Sequence, residues 1–150
     1  MNKKRMSELY DRLTSTSRID PHDYAMKTSR SRLESFGYSL AGWLYMLRWQ
    51  KNTRIMSVAS VAVLLLSAWL QLDRLEWALI IIAITIVWLT EFLNAGIEAA
   101  IDVATQEYHP MAQVGKDVAS AAVLLGVIAS VLVGLLVLGP SLLARLGIVL

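Results

Sequence analysis

The chain has 150 residues, of which 56% are hydrophobic and only 17% are charged, and it contains no cysteine. Its mean hydropathy of +0.53 argues against a soluble globular domain of this size. The net charge of +2 is too small to favour a nucleic-acid partner, and the lack of cysteine excludes disulfides, thiolate metal sites and a cysteine nucleophile.

The N-terminal segment is polar and basic. Residues 1–34 hold eight of the 14 lysines and arginines. No apolar run of signal-peptide length follows Met1, so we expect no cleavable leader. We interpret residues 1–32 as a cytosolic extension and residues 33–150 as one membrane domain.

An aromatic-rich stretch with basic residues at its far end covers residues 33–54. Aromatic rings and long basic side chains are typical of the boundary between lipid and water. This composition predicts an amphipathic helix that lies on the membrane surface.

Three long apolar runs follow, at about residues 55–72, 77–101 and 118–138. Each is close to the roughly 20 residues that a helix needs to cross the hydrocarbon. The sequence therefore predicts an all-α membrane protein with three spans, a tight turn after the first and a loop over residues 103–117. Basic residues before the first and third spans predict a cytoplasmic N-terminus and an external C-terminus.

Polar side chains interrupt the second apolar run at Glu91, Asn94, Glu98 and Asp102. At 100° per residue they share a strip about 80° wide on one helix face. Glu91 would lie roughly 15 Å from Ile101 along the axis, where a carboxylate costs about 2.5 to 3.5 kcal/mol to insert.

Two interpretations of this polar strip compete. Intramembrane polar groups commonly form hydrogen bonds between helices, which would make the strip structural. However, several acidic groups on one face, with no basic partner on that helix, need a positive charge nearby. Carboxylate oxygens are hard ligands that suit Mg²⁺, so we favour a functional strip.

Lys116 and Asp117 stand at the start of the third apolar run. A lysine can neutralise phosphate, and an acidic group can hold the metal that accompanies a nucleotide. In the alternative interpretation, Lys116 extends to the membrane surface and Asp117 caps the helix. The chain has no GxxxxGK[ST] motif, which excludes a P-loop.

Residues of the second span, the loop and the third span together resemble the signature of a known family. The runs are Glu91-Phe92-Leu93-Asn94-Ala95-Gly96-Ile97-Glu98-Ala99-Ala100-Ile101-Asp102, Glu107-Tyr108-His109-Pro110 and Lys116-Asp117-Val118-Ala119-Ser120. They resemble the bacterial integral-membrane diacylglycerol kinase and undecaprenol kinase family. The resemblance covers roughly residues 33–138.

The resemblance implies a homotrimeric bundle in the bacterial inner membrane, in which each protomer has three spans and a surface helix. It implies an enzyme that transfers the γ-phosphate of ATP, with Mg²⁺ as cofactor, to a membrane lipid alcohol. That alcohol would be diacylglycerol or undecaprenol, and the sequence does not choose between them.

The resemblance also implies roles for individual residues. Glu91 would take the proton from the lipid hydroxyl with support from Asn94, Glu98 would hold Mg²⁺, and Ser120 would lie near the lipid substrate. The nucleotide site would consist of Tyr38, Glu98, Glu107, Tyr108, His109, Lys116 and Asp117.

One position departs from the family. Where the family has a second metal-binding glutamate, this chain has Gln50, whose amide oxygen can ligate Mg²⁺ but carries no charge. This substitution raises the alternative of a catalytically impaired relative that binds nucleotide or lipid. A weaker alternative is a transporter or channel that uses the polar strip as an ion path.

Overall fold

The fold is all-helical in the part of the chain that the structure, a computed structural model, describes: Met6 and residues 31–148. Its four helices are α1 (Arg32–Trp49), α2 (Lys51–Leu70), α3 (Arg74–Ala104) and α4 (Pro110–Arg145). The chain divides into two compact units, residues 1–42 and 43–150. The predicted N-terminal extension lies outside the described residues except for Met6, Ser31 and Arg32.

Three of the helices are long and apolar enough to cross a membrane. They are α2, α3 and α4, with 20, 31 and 36 residues. At 1.5 Å per residue, α3 and α4 are about 46 Å and 54 Å long, so both extend beyond a hydrocarbon layer of about 30 Å. The prediction of an all-α membrane protein with three spans is confirmed, whereas the amphipathic character of α1 and the trimer stay predictions.

A three-residue turn joins α2 to α3. Gln71 ends α2 in the left-handed conformation, with φ of 59°, and the Leu72 amide donates to the Ser67 carbonyl. Asp73 then caps α3, because its carboxylate accepts from the Leu75 and Glu76 amides while Glu76 accepts from the Asp73 amide. So short a connection holds α2 and α3 antiparallel.

Close backbone approach joins α3 to α4. Gly126 is buried, and a Cβ atom at this position would lie 2.8 Å from the Thr90 hydroxyl oxygen. One turn later, the Ser130 hydroxyl donates to the Ala83 carbonyl at 2.7 Å. Small residues and interhelical hydrogen bonds are the usual means of association between helices in lipid.

Two predicted boundaries are wrong. The aromatic stretch over residues 33–54 is not one helix, because Gln50 adopts an extended conformation (φ −91°, ψ 115°) and α2 begins at Lys51. The loop predicted over residues 103–117 is shorter, because α4 begins at Pro110. Proline is favoured at the first helical position, since its fixed φ suits the helix and its missing N–H would be unpaired there.

Candidate active site

The predicted polar strip lies on a single continuous helix, α3. Burial decreases along it from the membrane interior to the helix end: Glu91 is buried, Asn94 and Glu98 are half-buried, and Asp102 is exposed. The strip therefore leads from a buried carboxylate to an accessible one over about 16 Å of helix axis.

Glu91 is the most buried acidic side chain of the strip, with 3% of its surface exposed. The Asn52 side chain, at the start of α2, lies next to its carboxylate. The Glu91 Oε2 atom has no hydrogen-bond partner, and no basic side chain in residues 31–148 forms an ion pair with Glu91. A buried oxygen without a partner is costly, so it marks a place where a ligand group can bind.

Asn94 and Glu98 form a hydrogen-bonded pair one turn beyond Glu91. The Asn94 amide nitrogen donates to the Glu98 carboxylate at 3.1 Å. This bond leaves the Asn94 amide oxygen buried and without a partner. Glu91 and Asn94 therefore each hold one hard oxygen atom free on the same helix face.

A polar cavity of about 660 Å³ lies at the end of α3, between that helix, the following loop and the first turns of α4. Its lining consists of Ile101, Asp102, Thr105, Gln106, Glu107, Tyr108, His109, Ala112, Gln113, Lys116 and Asp117. The structure thus brings together five of the residues that were predicted to bind nucleotide.

Local hydrogen bonds fix the loop at residues 105–109. The Thr105 hydroxyl accepts from the Glu107 amide at 3.3 Å, and the Tyr108 hydroxyl donates to Gln113 at 2.9 Å. His109 is the residue that caps α4, because its Nδ1 accepts from the Met111 amide at 3.2 Å. Since Nδ1 is the acceptor, the neutral ring carries its proton on Nε2, which remains a donor.

The sequence predicts Lys116 and Asp117 at the start of the last helix, but the structure places neither of them there. Both lie within α4, so the alternative in which Asp117 caps the helix is wrong. Lys116 forms an ion pair with Asp102 across the cavity. The charged side chains of the cavity are thus three carboxylates, from Asp102, Glu107 and Asp117, and the Lys116 ammonium.

The remaining predicted residues lie elsewhere. Gln50 is half-buried in the linker between α1 and α2, and Ser120 is exposed on α4, one turn after Lys116. Neither belongs to the polar cavity. Tyr38 is exposed on α1, where its hydroxyl donates to Glu34 at 3.0 Å.

An aromatic cluster flanks Glu91. Trp43 stacks on Trp88 at 4.8 Å and contacts Phe92 at 5.0 Å between ring centroids, and the Trp88 indole donates to the Ser60 hydroxyl at 3.0 Å. Trp88 also lines an apolar cavity of about 390 Å³ between α2, α3 and α4. A space for an apolar chain therefore lies one helical turn from Glu91.

Sequence reasoning did not identify Asn52, which lies beside Glu91. It placed Asp102 on the polar strip but did not identify its ion pair with Lys116. The position of Asp102 on the polar strip was a usable signal. The sequence does not indicate the ion pair between Asp102 and Lys116, because the two residues are fourteen positions apart and the loop between the helices decides whether they meet.

The described residues contain no group of three or more histidines or acidic residues arranged to hold a metal. Mg²⁺ does not require such a group, because it usually binds through one or two carboxylates and completes its shell with phosphate and water. The Glu98 carboxylate and the unpartnered Asn94 oxygen are hard ligands of that kind. The residues present therefore fit a magnesium ion that arrives with phosphate.

Comparison with known proteins gives a consistent result. A family model described as prokaryotic diacylglycerol kinase matches residues 37–138. The diacylglycerol kinase of Synechocystis sp. is 36% identical over 121 residues, which cover 80% of this chain and 69% of that protein. The undecaprenol kinase of Bacillus subtilis is 31% identical over 124 residues, which cover 83% of this chain and 100% of that protein. The diacylglycerol kinase of Pseudomonas aeruginosa is 34% identical over 105 residues, which cover 69% of this chain and 85% of that protein.

Proposed function

Because the chain belongs to the prokaryotic diacylglycerol kinase family, we propose that this lipid kinase transfers the γ-phosphate of ATP to the hydroxyl of diacylglycerol or undecaprenol. Relatives named for each of these activities are similar to it. The observation that carries the proposal is one helix face that runs from the buried Glu91 to a polar cavity beyond the apolar spans.

Glu91 is the general base in this proposal. It is buried, has no ion-pair partner among the described residues and keeps Oε2 free, so a lipid hydroxyl can donate a hydrogen bond to that atom. Removing the hydroxyl proton during attack on the γ-phosphate is the usual task of a base in phosphoryl transfer. Asn94, one turn further, supports the same reacting group.

Glu98 and Gln50 are the residues that would hold magnesium. When bound, Mg²⁺ would neutralise negative charge that develops on the transferred phosphoryl group. Asn94 holds the Glu98 carboxylate in place by its hydrogen bond of 3.1 Å. The uncharged Gln50 contributes only an amide oxygen, so the metal site has one charge fewer than two glutamates would provide.

The polar cavity is the proposed nucleotide site. Glu107, Tyr108, His109, Lys116 and Asp117 line it, whereas the role of Tyr38 in nucleotide binding stays a prediction. Its three carboxylates and one ammonium would repel a bare triphosphate, which favours binding of ATP as a complex with Mg²⁺. Lys116 supplies a positive point charge for a phosphate.

The lipid is proposed to approach along the apolar helix faces, with its chain near the apolar cavity of α2 to α4 and its headgroup near Ser120.

We further propose a homotrimer in the bacterial inner membrane with a cytoplasmic N-terminus. In that orientation the polar cavity opens towards the cytoplasm, where ATP is present.

The experiment that tests this function is phosphorylation of a panel of lipid alcohols. The purified protein in lipid vesicles receives radiolabelled ATP and Mg²⁺, and the lipid products are separated by thin-layer chromatography. We expect radiolabelled lipid phosphate from diacylglycerol or undecaprenol. An absence of product from every long-chain alcohol would contradict the proposal and favour the impaired relative that Gln50 suggests.

A further inference from the structure

The ion pair between Lys116 and Asp102 lies inside the proposed nucleotide cavity. The Lys116 ammonium contacts Asp102 Oδ1, and both side chains line the cavity. The cation that a phosphate needs is therefore already engaged.

Asp102 occupies an unfavourable place on its own helix. It lies in the last turn of α3, which contains no basic residue, and the C-terminal end of a helix carries partial negative charge. Lys116 comes from another helix and offsets that repulsion. Asp102 therefore gains from Lys116 a favourable charge interaction that no side chain of its own turn supplies.

We propose that Asp102 competes with the nucleotide for Lys116, so that binding of ATP exchanges the Lys116 partner from the Asp102 carboxylate to a phosphate oxygen. This inference rests on the proposed function in that it takes the polar cavity as the nucleotide site. In the absence of nucleotide, Asp102 restrains the phosphate-binding Lys116, and in this way it sets the nucleotide affinity.

The exposure of the pair makes the exchange feasible. The side chains of Lys116 and Asp102 are 40% and 64% exposed, and ion pairs open to water hold their partners only weakly. Even as its Mg²⁺ complex, a triphosphate carries more negative charge than one carboxylate and therefore competes effectively for the same ammonium. Once Lys116 has left, Asp102 remains in contact with solvent.

The test is direct nucleotide binding to the full chain in lipid nanodiscs, with Mg²⁺ present and without a lipid substrate. We expect Asp102→Asn to lower the dissociation constant for ATP about two- to fivefold, the range for loss of an exposed competing pair. Inorganic triphosphate, used as a second probe, should show the same change because the exchange involves phosphate alone. Asp102→Ser is a second variant that removes the carboxylate by a different replacement.

The Lys116→Met background is the control for general charge repulsion. If Asp102 acts by occupying Lys116, then Asp102→Asn leaves the dissociation constant unchanged when Lys116 is absent. Equal tightening in both backgrounds would contradict the exchange, because it would show repulsion without Lys116. Weaker binding by Asp102→Asn, or no binding of either probe to the wild type, would also overturn it.

The proposed function and this inference fail in different ways. Lack of lipid phosphorylation by a protein that binds ATP would contradict the proposed function alone, because the exchange is measured without lipid. Normal lipid phosphorylation together with identical binding by wild type and Asp102→Asn would contradict the exchange alone.

Discussion

A carboxylate such as Glu91 is expensive to keep inside a membrane protein. Its side chain is 3% exposed and one of its oxygens has no partner, so its burial is not explained by a salt bridge or a complete hydrogen-bond network. The sequence alone predicted the strip and its depth. It did not predict the neighbouring Asn52, which comes from another helix.

Gln50→Glu tests how much the missing carboxylate matters. Mg²⁺ affinity rises with the number of charged ligands, so we expect the Mg²⁺ concentration for half-maximal activity to fall about tenfold. Titration of lipid kinase activity with Mg²⁺ at fixed ATP measures the change. Gln71→Glu is the matched control, because it adds the same charge in the turn at the other end of α2.

The control variant should behave as the wild type does. If Gln50→Glu leaves the Mg²⁺ titration unchanged, position 50 is not a metal ligand in this chain. A large increase in maximal activity would instead show that the natural chain is an impaired enzyme.

Helix ends were less predictable than helices. The apolar pattern located α2, α3 and α4 because a long apolar run has few other structural solutions in a membrane. It placed the start of the last helix too late, since Gln113, Lys116 and Asp117 interrupt the apolar pattern in the first turns of α4. Gln50 interrupts the helical path without a glycine or proline, so no local signal marked that break.

Gly126→Ala tests the close packing of α3 against α4. The added methyl group would meet the Thr90 hydroxyl at 2.8 Å, and we expect a loss of about 1 to 3 kcal/mol in the free energy of unfolding. Unfolding by SDS in mixed micelles, followed by circular dichroism, measures this. Gly134→Ala is the matched control on the same helix, because its added methyl group meets no atom within 4 Å.

Only the variant at the packed glycine should lose stability. Equal unfolding free energies for Gly126→Ala and the wild type would show that α3 and α4 do not approach as closely as described.

Removing the hydrogen bond between Trp88 and Ser60 tests the contact of α2 with α3. Trp88→Phe keeps an aromatic ring in the cluster but removes the indole donor that lies 3.0 Å from the Ser60 hydroxyl. We expect a coupling free energy of about 0.6 kcal/mol in a double-mutant cycle with Ser60→Ala, typical of hydrogen bonds between helices in lipid. Unfolding measurements on the four proteins provide it, and strictly additive effects would exclude the bond.

At the scale of the whole molecule, composition and charge segregation predicted three spans, and the structure has three helices of sufficient length. The assembly could not be read in the same way. Apolar helix faces contact lipid or another protomer with equal ease, because both surroundings are apolar. The predicted trimer thus remains a prediction.

The predicted orientation can be tested by labelling single cysteines, because the natural chain contains none. Leu75 and Val103 lie near opposite ends of α3 and are 70% and 88% exposed. In right-side-out vesicles, we expect a membrane-impermeant maleimide to label Leu75→Cys and to spare Val103→Cys. The reverse pattern would place the polar cavity outside the cell.

The central claim is that the buried carboxylates on α3 serve phosphoryl transfer and do not merely join helices. The most direct measurement compares lipid phosphate formation and unfolding free energy for the wild type, Glu91→Gln and Glu98→Gln in the same lipid. We predict that Glu91→Gln abolishes turnover and that Glu98→Gln lowers it at limiting Mg²⁺, while neither variant has a lower unfolding free energy than the wild type. Full turnover in both variants, accompanied by a less stable protein, would contradict the claim.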